Sequence, residues 1–311
     1  MNVLAVIAEM SFVASFVGGQ NRLAFAKATA MPSSEPLAPM HTETWRFDEG
    51  ESAVHRVGEG PPLLLIHGIG PGTAFQANFS AVVPTLARHR TLYGIDLIGF
   101  GASPAGPDGP RFDFARWVRQ AAAAVARIGV PQVDVWGQSL GAAIALALAA
   151  SSPAVRRVVA TGAGGGGRRL NAALDAFWTA PADLAALRVA MQGAVFDASG
   201  LRDEQLALRL DALVRDGRGA DFEAMMASGK AHNLRSCWLA PELLSTVRAP
   251  VLLIHGREDR PVPYRESALH LFDHLGDARL VLLGRCGHNP MLEHTAAVCD
   301  LALQHLTSTH D

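Results

Sequence analysis

Cysteine is scarce in this chain, and the few present make no pattern. Cys237, Cys286 and Cys299 are an odd, widely spaced set of three. They form no CxxC pair and no Cys/His grouping with metal-ligand spacing, so neither a disulfide framework nor a structural metal site is expected. The twelve histidines are scattered, with no HExxH among them. No apolar run reaches the ~18–20 residues that a membrane helix needs. A charge imbalance is missing too. Set against 29 Asp and Glu, 27 Lys and Arg leave a net charge of −2, which calls for neither nucleic acid nor an acidic membrane surface as partner. There is no internal repeat. Gly162–Gly167 is glycine-rich but lacks the GxGxxG-plus-acid arrangement of a nucleotide loop, and it reads as a hinge.

What remains is a well-buried globular composition, 49% hydrophobic and 18% charged over 311 residues, long enough for one large domain or two ordinary ones. Residues 1–40 read as a leader and linker. Met1 to Val17 is apolar, but Glu9 interrupts it and no basic segment precedes it. Ala24-Phe25-Ala26 could pass for a cleavage site, although Arg22 stands in the wrong place for one. An N-terminal helix or disordered leader is therefore preferred to a signal peptide, and Pro32 to Pro39 reads as a linker. The expected compartment is the cytoplasm. The apolar leader keeps a secreted or periplasmic location open.

Beyond the linker, strands alternate with helices. Thr42–Phe47 and Ser52–Val57 fit an antiparallel hairpin at a sheet edge. Leu63–Ile66 is an unbroken apolar run of the kind buried on both faces of a parallel sheet. Further strands are expected at Thr91–Ile95, over the run from Val133 to Trp136, and at Val155–Thr161, Pro250–Ile254 and Arg279–Leu283. Helices are expected at about Phe112–Ile128, Ala142–Ala150 and Thr295–Leu306. The alternation indicates an α/β fold with a parallel sheet and crossover helices. Between Gly167 and Leu244 the strand signal vanishes. Helical segments replace it near Leu170–Trp178, Pro181–Met191, Asp203–Val214 and Asp221–His232. Such an insertion suggests a cap over the carboxyl ends of the strands, where ligands of open α/β sheets bind.

The chain's chemistry centres on Val133-Asp134-Val135-Trp136-Gly137-Gln138-Ser139-Leu140-Gly141, which runs directly into an Ala/Leu-rich helix. Strand, tight turn and helix is the context in which G-x-S-x-G marks a nucleophile elbow. Gly137 and Gly141 leave room for the turn, and the helix N-terminus behind Ser139 favours negative charge on the reacting oxygen. The plainer reading is a serine in a glycine-rich turn, so the partners decide. A serine hydroxyl needs a base, and the base needs an orienting acid. Asp259 follows a buried strand in Gly256-Arg257-Glu258-Asp259-Arg260-Pro261. Glu258 is its rival, and capping a helix or pairing with Arg260 is its alternative employment. His288, in Cys286-Gly287-His288-Asn289-Pro290, follows the last strand as the expected base. Alone it would read as a solvated loop residue. His67 precedes the serine in the chain and is better read as a structural hydrogen-bonding residue. The backbone N–H groups of Ile69 and Leu140 are placed to receive an oxyanion, and losing one such donor costs ~3 kcal/mol. Acyl transfer by these groups requires no metal and no organic cofactor.

His67-Gly68, Asp96-x-x-Gly-Phe-Gly-x-Ser103, the elbow, Asp259 and His288, in that order, resemble the α/β-hydrolase fold superfamily over about Thr42 to Leu306. The resemblance implies a mostly parallel eight-stranded sheet with helices on both faces. It divides the chain into a leader at 1–40 and a hydrolase domain at 41–311 that carries a cap insert at 165–245. A closer likeness, to the meta-cleavage product hydrolases, rests on His67-Gly68-Ile69-Gly70-Pro71-Gly72, Asn78, Ser236-Cys237-Trp238, and Cys286-Gly287-His288 with Glu293-His294. Those enzymes hydrolyse a C–C bond in vinylogous diketo acids from aromatic-ring degradation. The likeness implies that Asn78 and Trp238 line the pocket, beside Gly68 and Gly70, and it matches Arg209 with an arginine that grips the substrate carboxylate. Read from the residue alone, Arg209 is more simply an exposed helix charge. Two positions bordering the substrate depart from the pattern. Asn289 replaces the usual Trp after the histidine, and Gln138 replaces the usual Asn before the serine. The changes imply a different acyl group, or an esterase of related ancestry.

Three function classes follow. A serine hydrolase acting on a small ester or a C–C substrate comes first. A cofactor-free haloperoxidase-like perhydrolase shares the triad, and a non-catalytic hydrolase-fold binding protein would tolerate its loss. The expected partners are a small-molecule substrate and a second copy of the chain in a homodimer, with no nucleic acid and no membrane span.

Overall fold

A computed structural model describes residues 39–215 and 217–308 of the chain. The leader and most of the linker expected over residues 1–40 lie outside the described residues. The first strands are β1 (His41–Phe47), β2 (Gly50–Val57) and β3 (Pro62–Ile66), followed by the short helices α1 (Phe75–Phe79) and α2 (Val83–Leu86). Then come β4 (Thr91–Ile95), α3 (Phe114–Ile128), β5 (Val133–Gln138), α4 (Leu140–Ser151) and β6 (Val155–Thr161). A helical insertion follows: α5 (Ala172–Phe177), α6 (Leu184–Ala194), α7 (Asp203–Arg215), α8 (Arg218–Met226), α9 (Lys230–Ser236) and α10 (Pro241–Leu244). The chain closes with β7 (Val251–Gly256), α11 (Ala268–His274), β8 (Ala278–Leu283), α12 (Pro290–Glu293) and α13 (Thr295–Thr307).

The strands form one eight-stranded sheet in the order β1-β2-β4-β3-β5-β6-β7-β8. Strand β2 pairs antiparallel with both β1 and β4, and every other pairing is parallel. The expected edge hairpin is present, in register from His41 opposite Arg56 to Phe47 opposite Gly50. Parallel strands need both faces covered, which explains the unbroken burial of β5 and β7. The buried apolar side chains fall into two clusters. One holds α3, α4 and most of the insertion; the other holds α1, α2 and α13. Helix α4 is buried from Leu140 to Ala149, and its run of alanines lets it lie close against the sheet. Helix α3 is amphipathic by contrast. Asp113 accepts from the Arg116 N–H at its start, and Gly129 ends it at φ 75.

In the insertion, the single helix expected over Asp221–His232 is two. The chain breaks at Gly229, which holds φ 95 between α8 and α9. The helix expected from Pro181 begins three residues later, where Asp183 caps it by accepting from the Ala186 N–H. No helix among the described residues is long and apolar enough to cross a membrane.

A polar cluster closes the amino-terminal side of the sheet. Asp134 of β5 accepts from Arg90 at 2.8 Å and from Arg156 at 2.8 and 2.5 Å, and both arginines also donate to the Leu306 carbonyl of α13. The Asp134 and Arg90 side chains are 0% and 3% exposed, so this carboxylate has no solvent to fall back on. Replacing Asp134 by Ala leaves two guanidinium groups facing each other with no anion. We expect a loss of about 3–5 kcal/mol in unfolding free energy, read from urea denaturation midpoints. A change below about 1 kcal/mol would show the cluster to be incidental.

Candidate active site

The elbow is built by what its glycines lack. Ser139 holds φ 55 and ψ −118, a left-handed conformation that costs a non-glycine residue roughly 1–3 kcal/mol. An added Cβ would lie 2.1 Å from the Gly141 carbonyl oxygen at Gly137, and 2.1 Å from the Ile66 carbonyl oxygen at Gly141. Side chains at either place would push the helix off the strand and undo the turn. Ser139 is thereby held at the carboxyl end of β5, directly before the first turn of α4.

Two loops bring its partners. The imidazole of His288 lies 2.9 Å from Ser139 Oγ through Nε2 and 2.8 Å from Asp259 Oδ2 through Nδ1. Nδ1–H therefore donates to the carboxylate, and the Nε2 lone pair accepts from the serine hydroxyl. Both Asp259 and His288 are 4% exposed. The rival acid is occupied elsewhere: Glu258 accepts from the Cys286 N–H and from Arg257. His67 has the structural place expected of it. Its Nδ1–H donates to the Gly68 carbonyl and its Nε2 accepts from the Leu97 N–H, while burial holds its pKa below the ordinary value.

Asp259 collects more donors than the sequence suggested. Its Oδ1 accepts from the Val262 N–H at 2.8 Å, and its Oδ2 lies 3.0 Å from Nε2 of His255 as well. That nitrogen is also 2.8 Å from the Val262 carbonyl. Two acceptors on one ring nitrogen require it to carry the proton, so His255 is the Nε2–H tautomer. Sequence reasoning passed over His255. The available signal was a polar residue in a strand that is otherwise apolar and buried on both faces. Burial alone would raise the Asp259 carboxyl. The charge of His288 and the hydrogen bonds from His255 and His288 outweigh it and bring the pKa down to about 2.

The Ile69 and Leu140 amides donate to no other group among the described residues. The neighbouring Gly68 N–H is already taken by Asn78 Oδ1 at 2.7 Å. Gly68 itself passes so close to the serine that an added Cβ would lie 2.8 Å from Ser139 Cβ. Beside Ser139 and Leu140 is a cavity with apolar walls that include Leu174, Trp178, Leu234, Cys237 and Val262. A second cavity, about 220 Å³, adjoins the 70–74 loop and is lined by Gly99 to Ala102, Arg218 and Phe222.

Asn78, Gln138, Trp238 and Asn289 are not among the residues lining the cavity beside Ser139. Asn78 pins the Gly68 amide and takes no part in the wall beside Ser139. Trp238 has the Arg168 guanidinium 4.5 Å from its ring centre and the His270 ring at 5.6 Å, while its neighbour Cys237 lines the cavity beside Ser139. Gln138 turns to the histidine loop, where its Nε2 donates to the His288 carbonyl at 2.9 Å. Asn289 stands at the start of α12, its Oδ1 buried without a partner among the described residues. Gly70 borders the second cavity and packs under Phe177, whose ring lies edge-on to His288 at 5.9 Å.

Arg209 is not the exposed helix charge that its residue type suggested. Its Nε and Nη2 donate to the Pro71 carbonyl at 2.9 and 2.8 Å, Nη2 also reaches Thr73 Oγ1, and burial pushes its pKa down to about 10. Helix α7 packs this residue onto the 71–73 loop, which leaves it half-buried and shields the guanidinium from much of the solvent. The glycine-rich segment after β6 is no free hinge either. The Gly164 N–H donates to the Ser139 carbonyl, Ser267 Oγ accepts from the Gly166 N–H, and the segment walls the serine's cavity.

The family model described as the α/β hydrolase fold matches residues 61–295. The chain belongs to the α/β-hydrolase fold family. It is 34% identical over 244 residues to 2-hydroxy-6-oxo-2,4-heptadienoate hydrolase of Pseudomonas putida, covering 78% of this chain and 88% of that one. It is also 34% identical over 249 residues to 2-hydroxymuconate semialdehyde hydrolase of a Pseudomonas species, covering 80% and 87%. Among solved structures, a mutant form of the meta-cleavage product hydrolase CumD superposes with a TM-score of 0.81 at 28% identity, over 86% of this chain and 98% of that one. These relatives make this α/β-hydrolase a hydrolytic enzyme with a likeness to the meta-cleavage product group.

The lowered Asp259 pKa makes a prediction with a definite sign. A carboxyl depressed from the ordinary ~3.9 to about 2 contributes roughly 2–3 kcal/mol. That contribution is fully present above about pH 4 and is lost as pH falls through about 2. The stability gap between wild type and Asp259→Asn, measured by denaturant unfolding, should narrow steadily from pH 5 to pH 2. A gap independent of pH over that range would rule the depressed carboxyl out.

Proposed function

We propose that this α/β-hydrolase cleaves a carbon–carbon bond in a small vinylogous diketo acid, with Ser139 as nucleophile, His288 as general acid and base, and Asp259 as the orienting carboxylate. The observation that carries the reading is the unbroken hydrogen-bond chain Asp259–His288–Ser139 beside an apolar cavity. The names of the relatives supply the substrate class.

In the chemistry proposed, the dienol first becomes the keto form, because a carbanion leaves readily only when it is conjugated. His288 Nε2 then takes the Ser139 proton as Oγ attacks the carbonyl carbon. The Ile69 and Leu140 amides receive the oxyanion. Collapse breaks the C–C bond, and His288 returns its proton to the departing carbon. A water, deprotonated by His288, releases the acyl group as the acid and restores the serine. Side chains and backbone amides of this chain carry the steps from the serine's attack to release of the acid. An ester would follow the same route without the first step.

The insertion over residues 165–245 serves in this reading as a cap that excludes water. Arg209 serves as the carboxylate grip. In support, its Nη1 has only the Met191 sulfur as partner among the described residues, at 3.3 Å, leaving a donor for a substrate oxygen. Asn78 and Gln138 act by holding the Gly68 amide and the His288 carbonyl. The reading includes a homodimer and a cytoplasmic location. Edge strand β8, whose outer side has no strand partner among the described residues and which exposes Leu282, supports the first; three buried free cysteines support the second.

Ser139→Ala should fold normally, lose more than about 10⁴-fold in turnover, and fail to react with a fluorophosphonate probe that labels the wild type. Turnover at the wild-type rate would end the serine assignment. A p-nitrophenyl ester series run beside a dienoate ring-cleavage product separates the substrate classes. Preference for the dienoate, lost in Arg209→Ala, supports C–C cleavage, whereas cleavage of esters alone makes the protein a carboxylesterase.

A further inference from the structure

The proposed mechanism gives no work to Glu293, yet its carboxylate occupies a particular place. Oε1 accepts from the Gly287 N–H at 2.8 Å, and Oε2 accepts from the Phe196 N–H at 2.6 Å. Gly287 directly precedes the histidine. Phe196 lies in the helical insertion, two residues past the end of α6. One carboxylate thus spends one oxygen on each of two segments that are 91 residues apart in the chain. Hydrogen bonds to an ionised acceptor are roughly twice as strong as neutral ones.

Other contacts join the same two segments. The His288 N–H donates to the Ala194 carbonyl at 2.6 Å. The Arg285 guanidinium lies 5.2 Å from the centre of the Phe196 ring. Gly287 fits so closely under the insertion that an added Cβ would lie 2.5 Å from the Ala194 carbonyl oxygen. The peptide that carries the imidazole is therefore held from both sides. Gln138 of the elbow strand takes its carbonyl, while Ala194 and Glu293 take its N–H and that of Gly287. The imidazole must meet Ser139 and Asp259 together, and a displacement near 1 Å in such an arrangement can cost about 10²-fold in rate.

We propose that Glu293 is a positioning residue that couples the seating of the helical insertion to the alignment of His288. With the Phe196 segment seated, the carboxylate bridges both amides and the histidine is in register. When the segment lifts, Glu293 and the Ala194 carbonyl lose their partners together, and the imidazole loses its constraint on that side. The proposal rests on the assignment of Ser139 and His288 made above. It makes the insertion a part of the catalytic geometry as well as a roof.

The test uses the full chain with Glu293→Ala and Glu293→Gln, the second keeping one acceptor oxygen in a side chain of the same length. Steady-state kinetics on the better of the two substrates above is paired with amide hydrogen exchange. Glu293→Ala should lower kcat about 10–100-fold with a much smaller change in KM. It should also speed exchange at the Phe196, Gly287 and His288 amides at least tenfold, while the β5 amides keep wild-type protection. Glu293→Gln should recover part of the lost kcat. Wild-type kcat in Glu293→Ala overturns the proposal. So does a fallen kcat with those three amides still protected, and so does loss of protection throughout the sheet in both variants. Ser139→Ala and probe labelling report separately on the triad. If they fail, the exchange data still decide whether Glu293 ties the two segments.

Discussion

The hydrogen bond from Ser139 to His288 spans 149 residues of sequence, and much of the fold can be understood as what holds its two ends. One end is a strained elbow at the tip of β5, kept in place because two glycines leave no Cβ in the way. The other end is a loop with no regular structure of its own. The Gln138 side chain on one side, and the Ala194 carbonyl with Glu293 on the other, hold that loop, together with a carboxylate that accepts from His288, His255 and the Val262 amide. A buried anion with three donors is firmly oriented. It therefore fixes the histidine that leans on it.

The loop opposite the serine is organised by the same rule, that buried polar groups must find partners. His67 ties its own loop to the start of the Asp96 segment. Asp96 accepts from the Phe75 and Ala102 amides, and Asn78 takes the Gly68 amide. The Gly68 amide beside Ile69 is used in this way, while the Ile69 and Leu140 amides have no partner among the described residues. Free donors fixed before charge develops are what acyl transfer needs. The fold supplies them by satisfying their neighbours.

The insertion between β6 and β7 adds the second half of the pocket. Leu174, Trp178 and Leu234 make the serine's cavity apolar, and Phe177 lies edge-on to the histidine. It also brings Arg209 down onto the Pro71 carbonyl, where burial lowers the guanidinium pKa. Asn289, directly after the histidine, has a buried side-chain oxygen without a partner among the described residues.

The sequence by itself determined the sheet, the elbow and the three residues that meet at it. Each of these rests on a local signal: unbroken apolar runs for strands buried on both faces, glycines where a Cβ cannot fit, and chain order for the acid and base. Only the tertiary structure decided what the polar residues around the site do. Asn78, Gln138 and Trp238 were expected beside the substrate, and the contacts they make are with an amide, a carbonyl and a guanidinium. His255 sits in a strand that reads as ordinary core, and α8 and α9 part at a glycine inside what reads as one helix. The physical reason is the same in every case. Periodicity and turn chemistry act over a few residues, whereas the partner of a buried polar side chain is set by which loops the fold brings together.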